Sequence, residues 1–169
     1  MAVALALTAG CSDVQEQEPP GDNTPTVKAV DNARSEARDL SSRLYEWTGI
    51  EGRTTEPGPV VSNCESDAHD ETLYVMRHPW TIYDTAAETL ERGFNNLRDR
   101  MEQEDGWELR VDEVENNQDQ TPHLLFVNRD LEYAVDVWLT GRNGDNPQLE
   151  IWTQSACFRT PDGETRNGS

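Results

Sequence analysis

The sequence predicts an α+β domain, a two-layer sandwich in which two helices lie on an antiparallel sheet of about four to six strands. Two observations carry that expectation. The stretches Val27 to Trp47 and Thr85 to Gly106 repeat apolar residues at spacings of three and four, the period of a helix with one buried face. Most of the rest consists of short runs rich in β-formers, joined by turn formers over connections short enough to imply antiparallel hairpins. The order helix, strands, helix, four strands is that of an α+β sandwich.

In the first helix Val30, Ala33, Ala37, Leu40, Leu44 and Trp47 form the apolar stripe, charged residues such as Asp31, Arg34, Glu36 and Arg38 fall between them, and Gly49 is the stop. Residues 52–58 read as loop. A short strand is expected over Pro59 to Cys64, a polar loop over Glu65 to Asp70, and a strand over Thr72 to His78 that Pro79 should stop. Thr85 and Glu88 have capping-box spacing at the head of the second helix. Its stripe is Ala87, Leu90, Phe94, Leu97 and Met101, and Gly106 ends it.

The four closing strands are Trp107 to Val111, His123 to Asn128, Leu131 to Thr140 and Gln148 to Phe158. The third alternates cleanly, with Leu131, Tyr133, Val135, Val137 and Leu139 on one face and Glu132, Ala134, Asp136 and Trp138 on the other. At least one sheet face should therefore be half-wet, with the Thr85 helix covering the other.

Length and charge narrow the partners. The 169 residues leave room for one domain with a real core. They carry 14 Lys and Arg against 33 Asp and Glu, a formal net charge of −19, and Lys28 is the only lysine. Such a surface repels phosphate, so nucleic acid is not an expected partner, and the domain itself should not lie on an anionic bilayer.

Ahead of the first helix an apolar run, Ala2 to Leu7, leads into Leu7-Thr8-Ala9-Gly10-Cys11, which places small residues directly before a cysteine. This stretch resembles the lipobox of bacterial lipoproteins. Together with the acidic, Pro-containing stretch that follows, Met76-Arg77-His78-Pro79-Trp80 and Ser155-Ala156-Cys157-Phe158, it makes the chain look like the small membrane-anchored lipoproteins of actinobacteria. The resemblance brings no catalytic residue with it. It implies a diacylglyceryl group on the Cys11 sulfur, cleavage just before Cys11, and a mature chain anchored by that lipid at the outer face of the cytoplasmic membrane.

On this reading residues 1–10 are a truncated lipoprotein signal peptide, since only Met1 stands where a cationic n-region would be. The apolar run is far too short to span a bilayer. Residues 11–26, with Glu16, Glu18, Pro19, Pro20, Asp22 and Pro25, become a disordered tether with a typical span of roughly 20 Å. Residues 27–160 are the single domain and 161–169 a disordered tail. Lipid on Cys11 takes up the odd one of three cysteines and leaves Cys64 and Cys157. A disulfide between them is the expectation in an exported compartment; two buried free thiols are the alternative.

Motifs for chemistry are absent. His69, His78 and His123 fall in separate segments without metal-ligand spacing, and the chain has no nucleophile elbow, P-loop or dinucleotide fingerprint. No catalytic residue, metal or cofactor is assigned. Asn143-Gly144-Asp145-Asn146 lacks the remainder of a calcium loop and reads as a turn.

One aromatic feature stands apart. If Leu149 and Ile151 point inward, period-two parity puts Trp152 and Trp138 together on the outward face of adjoining strands. Such a pair forms a platform for a ligand or partner, or else the Val27 helix lies over it and makes a second small core; the covered arrangement is the expectation. The functional expectation is a lipid-anchored, extracytoplasmic, non-enzymatic module that binds an envelope protein or a small ligand. The alternative is an extracytoplasmic hydrolase of envelope polymers, which requires a pocket holding two close carboxylates as acid and base.

Overall fold

The computed structural model describes residues 24–55, 57–144 and 146–167; the lipobox with Cys11, and the tether as far as residue 23, lie outside them. In chain order the elements are α1 (Val30–Thr48), β1 (Arg53–Thr54), β2 (Val60–Ser62), β3 (Leu73–Tyr83), α2 (Ala87–Gln103), β4 (Trp107–Val114), β5 (Pro122–Asn128), β6 (Tyr133–Thr140), β7 (Gln148–Ser155) and β8 (Phe158–Arg159). The class is the expected α+β, with two helices and an antiparallel sheet. That sheet has eight strands, not four to six, in the order β1-β3-β7-β6-β5-β4, with β2 and β8 also paired to β3.

The additional strands have local causes. β1 and β2 pair with separate stretches of one edge of β3, and Pro57-Gly58-Pro59 lies between them. On the other edge, the strand expected over Gln148 to Phe158 is broken at Ala156 and Cys157. The Ala156 N–H still meets the Glu132 carbonyl in register with β6 at 2.7 Å, but on the β3 side Met76 N donates to Ser155 Oγ at 2.9 Å, the pairing shifts by one residue before β8, and Cys157 is bonded to Cys64. β8 then resumes along β3.

Pro79 does not stop its strand. It falls between the residues of β3 that pair with β2 (Val75 to Arg77) and those that pair with β1 (Ile82 and Tyr83), so its missing N–H deprives no neighbour of a ladder bond there. The capping box does not form either. Ala86 is the N-cap of α2 and makes no side-chain cap bond. α1 begins at Val30 because the residues before it are held in extended form: Lys28 N donates to Arg159 O at 2.8 Å, and Arg159 N to Thr26 O at 2.9 Å.

Both helices lie on one sheet face. Leu40 and Leu44 of α1 and Leu90, Phe94, Leu97 and Met101 of α2 share a single core with Met76, Trp80 and Ile82 of β3, Leu124 and Phe126 of β5, Val135 and Val137 of β6, and Leu149 and Ile151 of β7. Gly93 permits the close approach of α2, since a Cβ there would stand 2.6 Å from Ile50 Cδ1 in the turn after α1. Asn96 fastens the same corner by donating to the Thr48 carbonyl at 2.8 Å.

Cys64 and Cys157 form a disulfide with Cα atoms 5.7 Å apart. With Leu73 and Val75 they make a small separate cluster on the opposite face of β3 from the main core. The segment after residue 160, expected as a disordered tail, is seated on the domain through residue 167. Its Arg166 guanidinium donates to the carbonyls of Asp70 (2.7 Å) and Leu73 (3.1 Å).

Two buried tyrosines tie the sheet to α1. Tyr133 Oη donates to Ala33 O at 3.1 Å and Tyr74 Oη to Lys28 O at 2.8 Å. Burial pushes both phenols well above their ordinary value of 10.0, and the negative charge of Glu36 adds to the shift. A folded-state value above the unfolded one means that stability is complete below pH about 10 and is lost as pH rises, because only the unfolded chain releases these protons readily. Urea midpoints should therefore fall between pH 9 and 11, and Tyr74→Phe/Tyr133→Phe should flatten that decline; an equally steep decline in the double variant would refute the assignment.

Candidate functional site

Among the described residues the second face of the sheet carries no helix, which overturns the expectation that the Val27 helix covers the tryptophans. α1 lies with α2 against the inward residues, and apart from the small cluster at Cys64, Leu73 and Val75 the outward residues are half-buried or exposed. Register sets two rows across this open face. Pro79 of β3, Trp152 of β7, Asp136 of β6, Leu125 of β5 and Val111 of β4 stand side by side. The neighbouring row is Thr81, Glu150, Trp138, His123 and Glu113. Trp138 and Trp152 are thus diagonal neighbours, as parity requires.

The rings are held in a defined pose. Trp138 meets Trp152 edge-on, with centroids 5.8 Å apart and planes at 73°. His123 stacks on Trp138 at 4.7 Å with planes within 5°, and its Nε2 lies 3.1 Å from Asp136 Oδ1. Around them Thr140 Oγ1 donates to Glu150 (2.8 Å) and Arg77 Nε to Gln154 (2.8 Å), so the polar side chains are braced against one another. Trp152 remains 48% exposed at the centre of this arrangement. Glu113, Asp136 and Glu150 give the face an acidic rim; Arg110 is taken up by Glu108 at 2.7 Å. Aromatic faces and edges set in carboxylates bind by contact area and by attraction to cationic or hydrogen-donating groups.

A second candidate lies on the helix side of the sheet. A hollow of about 560 Å³ between α1 and β3 is lined by Arg38, Ser41 and Tyr45 of α1, by Thr55, and by His78 and Trp80 of β3, among others. Ser41 Oγ is 2.8 Å from His78 Nδ1. Burial lowers the His78 pKa, partly countered by its hydrogen bond to the Ala37 backbone and reinforced by the charge of Arg38. The pair is poorly placed for acyl transfer. Ser41 is only 6% exposed, and it sits mid-helix, where backbone N–H groups are committed to the helix ladder and cannot form an oxyanion hole. The single carboxylate on the wall is Glu46, so this hollow lacks the acid and base pair that the hydrolase reading requires.

The remaining histidine, His69, is exposed in the loop before β3. Among the described residues no cluster of three or more His, Cys, Asp or Glu side chains could hold a metal ion, and no helix is long and apolar enough to cross a membrane. Of the residues that make up the open face, the sequence points to Trp138 and Trp152 but misses His123, Pro79 and Leu125. Their signal is the same period-two parity, available once the pairing of β5 with β6 and of β3 with β7 is known. Comparison with family profiles, with curated proteins and with solved structures finds no match to this chain.

Proposed function

We propose that this chain is a lipid-anchored, extracytoplasmic envelope module that binds a protein partner through the open face of its sheet. The observation that carries the reading is the bare face itself: Trp152 half exposed, braced by Trp138 and His123, and covered by neither helix. Contiguous exposed aromatic surface marks interaction sites, and tryptophan is among the residues that dominate interface energetics. The acidic rim of Glu113, Asp136 and Glu150 suits a partner with a basic patch around an apolar centre. The Cys64–Cys157 disulfide is consistent with an oxidising compartment, and the lipobox resemblance supplies the attachment at Cys11.

Two measurements test the two halves of the proposal. Protein from the native host should partition into the detergent phase with a lipid-sized mass increment, and Cys11→Ser should move it to the aqueous phase; partition unchanged by that substitution refutes the anchor. The soluble Cys11→Ser chain should cosediment with envelopes of the native host. Trp138→Ala/Trp152→Ala should weaken that binding about 30-fold or more, as loss of a hot spot does, while Val114→Ala, at an exposed site on the helix side of β4, leaves it unchanged. A double variant that folds and still binds like its parent refutes the role of the face.

A further inference from the structure

We propose that the hollow between α1 and β3 is a second binding site, for a small organic carboxylate with a flat apolar body. Its volume of about 560 Å³ lies in the range of small-molecule sites. Its walls hold one carboxylate, Glu46, and several hydroxyls, and beside these two groups that can only donate. Trp80 is 5% exposed, and its buried Nε1–H, which can only donate, has no hydrogen-bond partner. A buried donor left in this state costs free energy; it is closed to water as the structure stands, so an acceptor recovers that cost only if the wall around the indole gives way. Arg38, which also only donates, lines the same hollow and makes no ion pair among the described residues.

In a chain of net charge −19, Arg38 puts a positive charge on the wall of the hollow that the unpaired Trp80 also lines, with Glu46 the one negative charge there. Both groups suit the same acceptor, and a guanidinium fits a carboxylate through two parallel hydrogen bonds. The rings of Tyr45 and Trp80, edge to face at 6.2 Å, supply the apolar wall for the rest of the ligand. Ser41 and His78 are engaged with each other and form the polar floor. The site is independent of the open face, which lies on the other side of the sheet.

The test uses benzoate as probe against benzamide, its uncharged counterpart, on the full chain, read at the indole ¹H–¹⁵N resonances of the five tryptophans. Benzoate should shift the Trp80 resonance saturably while leaving Trp138 and Trp152 in place. Benzamide should bind about tenfold more weakly or worse, since a charge-assisted pair is lost. Arg38→Gln should abolish the preference for benzoate, whereas Arg92→Gln, the same charge change on exposed α2, should keep it. Equal binding of both probes, a preference that survives Arg38→Gln, or a Trp80 shift reproduced by sodium chloride at matched ionic strength would each overturn the proposal. So would a Trp80 resonance that no millimolar concentration of benzoate moves.

Discussion

Replacing both bridging cysteines, Cys64→Ser/Cys157→Ser, should destabilise the domain by about 4–5 kcal/mol, the chain entropy returned to the unfolded state when a loop with ends 93 residues apart is opened. The bond is well placed for that effect. It joins the segment after β2 to the break between β7 and β8, and so locks both edges of β3 at one end of the strand. A domain of ordinary stability has about 5–15 kcal/mol in all, so this is about a quarter or more of the total, and the melting temperature should drop by roughly 10–20 °C. Equilibrium urea unfolding checks it, and reductant applied to the parent chain should reproduce the variant's midpoint. A loss below about 1 kcal/mol would show that the unfolded chain is not restrained by this crosslink.

Two adjacent residues of β5 should respond very differently to truncation. Phe126→Ala should cost about 3–5 kcal/mol, because Phe126 is fully buried beneath the helix layer between Leu109 of β4 and Val135 of β6. Leu125→Ala should cost less than about 1 kcal/mol, because Leu125 faces the open side beside Asp136 and is only partly buried. Denaturant midpoints of the two proteins measure the contrast. Comparable losses at both positions would mean that the second face is packed as well, and the account of a one-sided sheet would fail.

The parts of this fold that are legible in the sequence are those governed by local period. The stripes of Ala33, Ala37, Leu40 and Leu44 and of Leu90, Phe94, Leu97 and Met101 are both buried as spacing predicts. The alternation of β6 gives its inward set from Tyr133 to Leu139 correctly, and with it the outward placement of Trp138. What local pattern could not supply is pairing. Pro79 reads as a strand terminator until the gap between β1 and β2 is known, and the run from Gln148 to Phe158 reads as continuous until Cys157 is tied to Cys64. Thr85 and Glu88 have the right spacing for a capping box, yet the helix starts after Ala86, so spacing alone was not sufficient. The choice of which face α1 covers is likewise tertiary: its stripe fits either side of a sheet, and shared contact with α2 around Gly93 and Ile50 decides it. The hollow is tertiary in the same way: Ser41 and His78 meet only once α1 packs on β3, and Trp80 joins its wall only because β3 continues past Pro79.

The central claim is that both helices occupy one face of the sheet and leave the Trp138–Trp152 face in water. A neutral gadolinium chelate added to the full chain tests it most directly, through the relaxation it induces in the tryptophan ring and indole protons. Trp152 should relax strongly and Trp138 to an intermediate degree, with Trp80 among the least affected. Trp152 and Trp138 as well protected as Trp80 in the monomeric protein would contradict the account.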